Sequence, residues 1–292
     1  MVLDGEQRAA LAVVRSLGRA GHQVHVGSCQ RKSIAGGSRH ARGETLLPDP
    51  LREPRAYGLA VAAMTARFQA EMVLPITEAS TLAVLEDRGM FDNVRIPTSD
   101  AGHFRRATDK AAVLDLAREL GIDVPNQWTI SAADGTRPDV SHVTFPVAVK
   151  PSRSVIGSSG GRSQTGVAYA DSPTELSSLI ATFGMDARPL LVQSRIVGPG
   201  LGIFLLRWNG EVRAAFAHRR LREKPPSGGV SVYCESVQAP ADLLAKSEAL
   251  LAALDWSGVA MVEFKLDART GRLCLMEVNP RFWGSLQLAI DA

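Results

Sequence analysis

The sequence is short of the features that mark several common protein classes. It has three cysteines in 292 residues, Cys29, Cys234 and Cys274, at wide spacing and with no C-x-x-C pair. An odd number so placed fits reduced thiols better than a disulfide frame or a zinc site. Aromatic residues make up only 5%, so no base-stacking platform accompanies the basic residues and nucleic acid is disfavoured as a partner. No apolar run approaches the ~18 residues of a membrane span, and Asp4, Glu6 and Arg8 interrupt the start where a signal peptide needs a continuous apolar stretch. The expectation is a cytoplasmic protein with no membrane partner. Neither sign of charge is in excess: 33 Lys plus Arg stand against 30 Asp plus Glu, which excludes a polyanion-binding arm. Among catalytic signatures, G-x-S-x-G is absent, no G-x-G-x-x-G follows a strand, and the six histidines have no metal-ligand spacing.

What is present is a folding composition, 45% hydrophobic and 22% charged, on a length that suggests about two domains at ~150 residues each. The first part alternates helical and strand patterns. Leu11, Val14 and Leu17 recur at helical spacing before a strand at 24–26; a helix over 56–68 leads into the apolar run 72–76, and a helix over 80–85 leads toward 94–97. Alternation of this kind predicts a parallel α/β sheet, whose strand ends bind ligands, and Thr77 and Glu78 sit at one such end. Turn residues over 99–106 mark a boundary before a helix at 109–120, giving domains 1–105 and 106–292. Beyond it, strands are expected at 145–150, 166–170, 190–193, 201–208, 211–218, 259–266 and 272–278, with helices at 173–183 and 241–254. This part reads as α+β with antiparallel sheet, so the whole is α/β plus α+β. The last residues look like a continuing apolar helix, and the expectation is a chain cut short.

Three constellations could carry chemistry. Alternation puts Met261, Glu263 and Lys265 on one face of the strand at 259–266, and Leu273, Leu275, Glu277 and Asn279 on one face of the next. A tight hairpin then sets Glu263 opposite or diagonal to Glu277. Two carboxylates at ~4 Å repel by about 4 kcal/mol at an effective dielectric of 20, so a cation belongs between them. Two carboxylates and an Asn carbonyl are hard oxygen ligands that favour Mg²⁺ or Mn²⁺, and Mg²⁺ usually arrives with nucleotide phosphates. An exposed charged face, or neutralisation by Arg281 or Lys265, is the alternative. The same repulsion predicts that neutralising Glu277 costs the fold little.

Lysine is scarce, with only Lys32, Lys110, Lys150, Lys224, Lys246 and Lys265 among the 33 basic residues. Lys150 ends an apolar strand and precedes a Gly/Ser-rich loop over 152–161, which includes Ser158, Gly160 and Gly161. Backbone N–H groups in such a loop can approach phosphate oxygens, with the lysine as a point charge. It is not a Walker A loop, because G-x-x-x-x-G-K-[ST] is missing and a strand comes next. The segment from His218 to Lys224, with Arg219, Arg220 and Arg222, then Pro225, Pro226, Ser227, Gly228 and Gly229, reads as a basic strand end with a turn, suited to a phosphate or an anionic substrate.

The order of these pieces resembles the ATP-grasp superfamily. The residues that carry the likeness are Thr108-Asp109-Lys110 opening a helix, Phe145-Pro-Val-Ala-Val-Lys150 before the Gly-rich loop, Leu190-Leu-Val-Gln193-Ser-Arg-Ile196, and Met276-Glu277-Val-Asn279-Pro-Arg281. The match runs from about 108 to 281, and the α/β region before it is similar to the pre-ATP-grasp domain. Within the superfamily the chain is most similar to the carbamoyl phosphate synthetase and biotin carboxylase branch and to carboxylate-amine ligases with a His-Arg-Arg-Leu-Arg-Glu segment. The resemblance implies a small lobe at about 106–190 and a C-terminal lobe at about 191–292. It implies that Lys110, Lys150, Ser158, Gly160, Gly161, Gln193, Ser194 and Ile196 bind ATP, with Gln193 where the family often has Glu. It implies Glu263, Glu277 and Asn279 as Mg²⁺ ligands, Arg281 near the transferred phosphate, and Arg220 and Arg222 facing the acceptor. The implied reaction is ATP-dependent joining of a carboxylic acid to an amine, or to a thiol or other nucleophile, through an acyl phosphate. A nucleotide-binding regulator without turnover and a kinase-like use of the site are the alternatives. Expected partners are the acid and the amine, with a homodimer as the one assembly considered.

Overall fold

The computed structural model describes residues 1–91, 93–130, 140–158, 161–164, 166–183, 190–224 and 229–292. Its first element is helix α1 (Arg8–Arg19), followed by strands β1 (Val24–Ser28) and β2 (Ala41–Leu46) and helices α2 (Pro54–Phe68) and α3 (Glu78–Glu86). Strands β1 and β2 pair in parallel. The ladder continues through single parallel bridges from Val26 to Val2, Val2 to Leu74 and Met72 to Arg95. The expected parallel sheet is therefore present, with three of its members too short to count as regular strands. Val2, Leu3, Val26 and Val73 are all completely or almost completely buried, as a sheet covered on both faces requires.

Helices α4 (Ala101–Thr108) and α5 (Lys110–Glu119) come next. The segment 99–106, read as turn, is mostly helix: the Asp100 carboxylate accepts hydrogen bonds from the N–H groups of Gly102 and His103 and so caps α4. Asp109 caps α5 in the same way. A four-stranded antiparallel sheet follows, in the order β3 (Gln127–Ile130), β8 (Leu190–Ser194), β4 (Val147–Pro151), β7 (Ala168–Ala170), and helix α6 (Pro173–Thr182) covers one face of it through Leu176 and Ile180. The described part of the Gly/Ser-rich loop is a small hairpin of β5 (Val155–Ser158) and β6 (Gly161–Gln164).

The largest sheet is antiparallel with five strands, in the order β11 (Val230–Val237), β10 (Glu211–Lys224), β9 (Gly200–Trp208), β12 (Gly258–Leu266), β13 (Leu273–Asn279). Helix α7 (Ala241–Ala253) precedes β12, and α8 (Leu286–Asp291) is the last element. The basic run 219–224 is the end of β10, as expected, with β11 pairing alongside as far as Lys224, and residues 225–228 of the expected turn lie outside the described residues. One core joins Leu3, Leu82, Phe104, Val113, Leu250, Trp256 and Phe264, so the N-terminal sheet, α5, α7 and β12 share buried apolar surface.

The hairpin of β12 and β13 departs from simple alternation. Glu263 pairs with Glu277, but Phe264 pairs with Leu275, so Met276 is an inserted residue. The bulge turns Leu275 to the core beside Phe264, both fully buried, instead of leaving it on the carboxylate face. The bulged register predicts that Leu275→Ala lowers stability by about 2–5 kcal/mol in urea unfolding. A loss under about 1 kcal/mol would return Leu275 to the face that strict alternation assigns.

Candidate functional site

The site forms where one row of residues crosses the large sheet. His218 pairs with Gly202, Gly202 with Glu263, and Glu263 with Glu277, and directly opposed residues share a face. The two carboxylates therefore stand side by side, as the hairpin reading required. Glu263 is 8% exposed.

The cations come from three other elements. Arg220, two residues beyond His218 on the same face of β10, reaches across β9 and donates to Glu263 Oε2 at 2.6 Å. Its path exists because β9 begins Gly200-Leu-Gly202: a Cβ on Gly200 would lie 2.9 Å from Arg220 Cδ, and one on Gly202 would lie 2.7 Å from the Phe204 ring and 3.1 Å from His218 Nε2. Lys110 opens α5, and its ammonium lies 2.7 Å from Ser154 Oγ and 3.6 Å from Glu277 Oε2. Lys150, on β4 of the small sheet, is buried and acts on both Glu277 and Glu263. Glu223 joins from the end of β10, 3.3 Å from Arg220 and 3.8 Å from Lys265.

Below Glu277, the Asn279 amide nitrogen donates to Glu277 Oε1 at 2.8 Å, and Arg281 Nη2 donates to Asn279 Oδ1 at 3.1 Å. Glu263, Glu277, Asn279, Lys110, Lys150, Arg220 and Arg281 thus come together. Gln193 is buried at the end of β8, its amide nitrogen donating to Gln127 Oε1 at 2.7 Å while its Oε1 has no donor among the described residues. Ser194 is the last residue of β8, and Ile196 lies just beyond it. Of the loop residues, Ser158 and Gly161 lie on β5 and β6, the Ser158 side chain is outside the described part, and Gly160 is outside the described residues altogether.

Arg222 does not join the site. It pairs with Tyr233 whereas Arg220 pairs with Cys234, because a bulge at Leu221 interrupts the alternation. Arg222 therefore sits on the opposite face and is exposed. Residues 225–228 of the turn expected to accompany it lie outside the described residues.

Two residues were not singled out for the site by spacing. Glu78, half-buried at the first turn of α3, feels Lys110, Arg281 and Glu277, and burial pushes its carboxyl above the ordinary range. Only its place at a parallel strand end hinted at this. His218 stacks edge-on against Phe204 and shares a 2.9 Å hydrogen bond between Nδ1 and Ser285 Oγ. Burial, with Arg220 beside it, pushes its imidazole down to about 4, so it is neutral.

Burial and charge pull the two central carboxylates apart. Burial would raise Glu277, but Lys110 and Lys150 outweigh it and hold the carboxyl down to about 2. Burial pushes Glu263 up despite Arg220, and the charge on Glu277 adds to the rise. The expectation that neutralising Glu277 is cheap for the fold does not survive this arrangement, because Glu277 balances two buried ammonium groups.

Lys150 bears the converse strain: burial brings it from 10.5 to about 8, against the pull of Glu277. Between about pH 8 and 10.5 the folded chain binds fewer protons at this residue than the unfolded chain, so this residue's contribution to stability rises with pH there. The urea-derived stability of the wild-type chain is expected to climb across that range relative to Lys150→Met. Parallel pH profiles for the two proteins would contradict the assignment.

No protein-family model matches the chain. Among curated proteins it is 26% identical over 267 residues to the carbamoyl phosphate synthase large chain of Acidobacterium capsulatum, covering 84% of this chain and 23% of that one. It is 27% identical over 229 residues to a Streptomyces coelicolor protein described provisionally as a D-alanine–D-lactate ligase, covering 72% of this chain and 62% of that protein. The chain therefore spans less than two thirds of the length of these relatives. Among solved structures it superposes on the biotin carboxylase of Campylobacter jejuni with a TM-score of 0.75 at 14% identity, over 99% of this chain and 66% of that one. An L-amino acid ligase from Bacillus licheniformis gives a TM-score of 0.71 at 16% identity, over 98% and 68%. The sheets and these superpositions give the chain the ATP-grasp fold of the biotin carboxylase and the L-amino acid ligase, and its sequence is similar over most of its length to the carbamoyl phosphate synthase large chain.

Proposed function

We propose that the chain carries the nucleotide site of an ATP- and Mg²⁺-dependent ligase that joins a carboxylic acid to an amine. The observation that supports this most is the pair Glu263 and Glu277, the first buried and the second partly so, ringed by Lys110, Lys150, Arg220 and Arg281, an arrangement with strong charge stabilisation.

The residues fit a nucleotide and its metal. Two carboxylates and the Asn279 amide oxygen are hard donors, and among the described residues no group of three or more His, Cys, Asp or Glu is placed to hold a metal ion. That is a partial shell of the kind Mg²⁺ uses when phosphate oxygens complete it. The orphaned Oε1 of Gln193 suits an amino-group donor such as the adenine edge supplies, at the end of the strand where the base would lie. Bound Mg²⁺ would neutralise charge on the β- and γ-phosphates. Lys110 and Lys150 would take phosphate oxygens in exchange for Glu277, and Arg281, anchored on Asn279 and the Phe282 carbonyl, would steady the transferring phosphoryl group.

In the proposed reaction a substrate carboxylate oxygen attacks the γ-phosphorus and its bond to the ADP oxygen breaks, leaving an acyl phosphate. The amine lone pair then attacks the carbonyl carbon, phosphate leaves, and the amine loses a proton. Alignment and charge neutralisation carry such a transfer.

The test pairs chemistry with folding. With a panel of acids, ATP and Mg²⁺, the protein is expected to release ADP, and hydroxylamine is expected to trap the activated acid as a hydroxamate. Glu277→Gln is expected to reduce that rate by about 100-fold or more and to lower the melting temperature at pH 7, because two buried ammonium groups lose their partner. Wild-type ADP release by the variant would overturn the metal assignment. Accumulation of a stable phosphorylated product that hydroxylamine and amines leave untouched would point to a kinase instead.

A further inference from the structure

The small sheet carries a row of side chains of its own on the face that bears Lys150. Val147, Val149, Leu190 and Val192 pack with Leu176 and Ile180 of α6, so alternation turns Ala148 and Lys150 of β4 and Gln193 of β8 to the opposite face. Gln127 of β3 pairs with Gln193, Gln193 pairs with Ala148, and Lys150 pairs with Leu191. The two glutamines therefore share the face of Lys150, two residues or roughly 7 Å along the strands from it. Just beyond Lys150 the chain meets the carboxylate site. The Lys110 N–H donates to the Ser152 carbonyl at 2.9 Å, and the Lys110 ammonium lies 2.7 Å from Ser154 Oγ and 3.6 Å from Glu277.

The backbone beside Gln193 is held from both neighbouring strands. The Ser194 N–H donates to the Asn126 carbonyl at 2.9 Å, and the Arg195 N–H donates to the Pro146 carbonyl at 3.0 Å. The Gln193 side chain is 1% exposed, its Nε2 donates to Gln127 Oε1 at 2.7 Å, and its Oε1 has no donor among the described residues. A side-chain amide offers an acceptor on one side and two donors on the other, and a half-turn about its last bond exchanges them. Gln127 decides between the two orientations: because its oxygen takes the Gln193 NH₂ group, the Gln193 oxygen is the atom left over. A buried acceptor without a donor costs free energy until a donor arrives. A carboxylate at position 193 would need no such setting, since it accepts on both sides.

We propose that Gln127 is the positioning residue that sets the choice of nucleotide: by holding the Gln193 amide with its oxygen free, it makes the site accept a base with an exocyclic amino group and reject one with a carbonyl in that place. The inference rests on the nucleotide-site reading and deepens it. A 6-amino purine would donate to the free Gln193 Oε1. A 6-oxo purine would bring an acceptor to an acceptor and leave two buried oxygens with no proton between them, a mismatch that discriminates more strongly than a lost apolar contact.

The experiment is calorimetric titration with ATP and with inosine triphosphate, both with Mg²⁺. The two share ribose and triphosphate, so their difference reads the base alone. Wild-type protein is expected to bind ATP about 10-fold or more tighter. Gln127→Met is expected to bring that ratio close to one, because the Gln193 amide is then free to turn its Nε2 to a 6-oxo group. Gln127→Lys, which supplies a donor in place of the acceptor, is expected to reverse the preference. Adding Gln193→Glu to Gln127→Met is expected to restore the preference for ATP, a rescue that mere loss of packing at position 127 would not show. Equal affinity of the wild type for the two nucleotides, a wild-type preference for inosine triphosphate, or an unchanged ratio in the Gln127 variants would overturn the proposal. Failure of the wild type to bind either nucleotide would instead overturn the nucleotide-site reading. If Gln127→Met does not fold by its melting curve, the wild-type ratio and Gln127→Lys decide.

Discussion

Two carboxylates held opposite each other in a buried strand pair are the constraint that the rest of the structure serves. Glu263 and Glu277 face one another in register, and at ~4 Å such a pair repels by about 4 kcal/mol even at an effective dielectric of 20. Much of the surrounding architecture answers that repulsion. Helix α5 brings Lys110, β4 of the small sheet brings Lys150, and β10 sends Arg220 across a strand whose glycines leave space for it. The bulge at Met276 belongs to the same arrangement, because it lets Glu277 face the site while Leu275 stays in the core.

The free chain keeps its charges in balance internally, and in the proposed reaction binding becomes an exchange of partners. Phosphate oxygens take the lysines, and the metal takes the carboxylates. Little has to be desolvated from scratch, since Glu263, Lys110 and Lys150 are already buried and Glu277 is partly so. This is the preorganisation that makes fixed charges effective at a reacting phosphoryl group. The N-terminal sheet takes part through Glu78, which follows the turn that Asp4 braces and feels the charges of Lys110 and Arg281.

The sequence showed the hairpin and its two carboxylates because period-2 alternation is local, and it showed the lysines because lysine is scarce in this chain. The alternating helices and strands of the first region were equally legible. Bulges were not. The inserted Met276 and Leu221 each reverse the face of the residues beside them, so Leu275 and Arg222 were assigned to the wrong side. Strands of mixed polarity, such as β2 with its alternating half-buried and exposed residues and β11 at the edge of the sheet, carry too little apolar signal to be read alone. Helix α4 was hidden because its cap, Asp100, sits among residues that also make turns. Glu78 was legible only as the end of a parallel strand and His218 only as the start of the basic run, because their surroundings come from residues distant in the chain and no spacing rule connects them to the hairpin.

The partner-exchange account is tested most directly by the affinity for ATP in the presence and absence of Mg²⁺, measured by calorimetry on the same protein. The account predicts binding at least about 10-fold tighter with Mg²⁺, equivalent to about 1.4 kcal/mol, because without the metal Glu263 and Glu277 keep the cations that the phosphates need. Equal affinity with Mg²⁺ and with excess chelator would contradict it, since the paired carboxylates would then have no metal to receive.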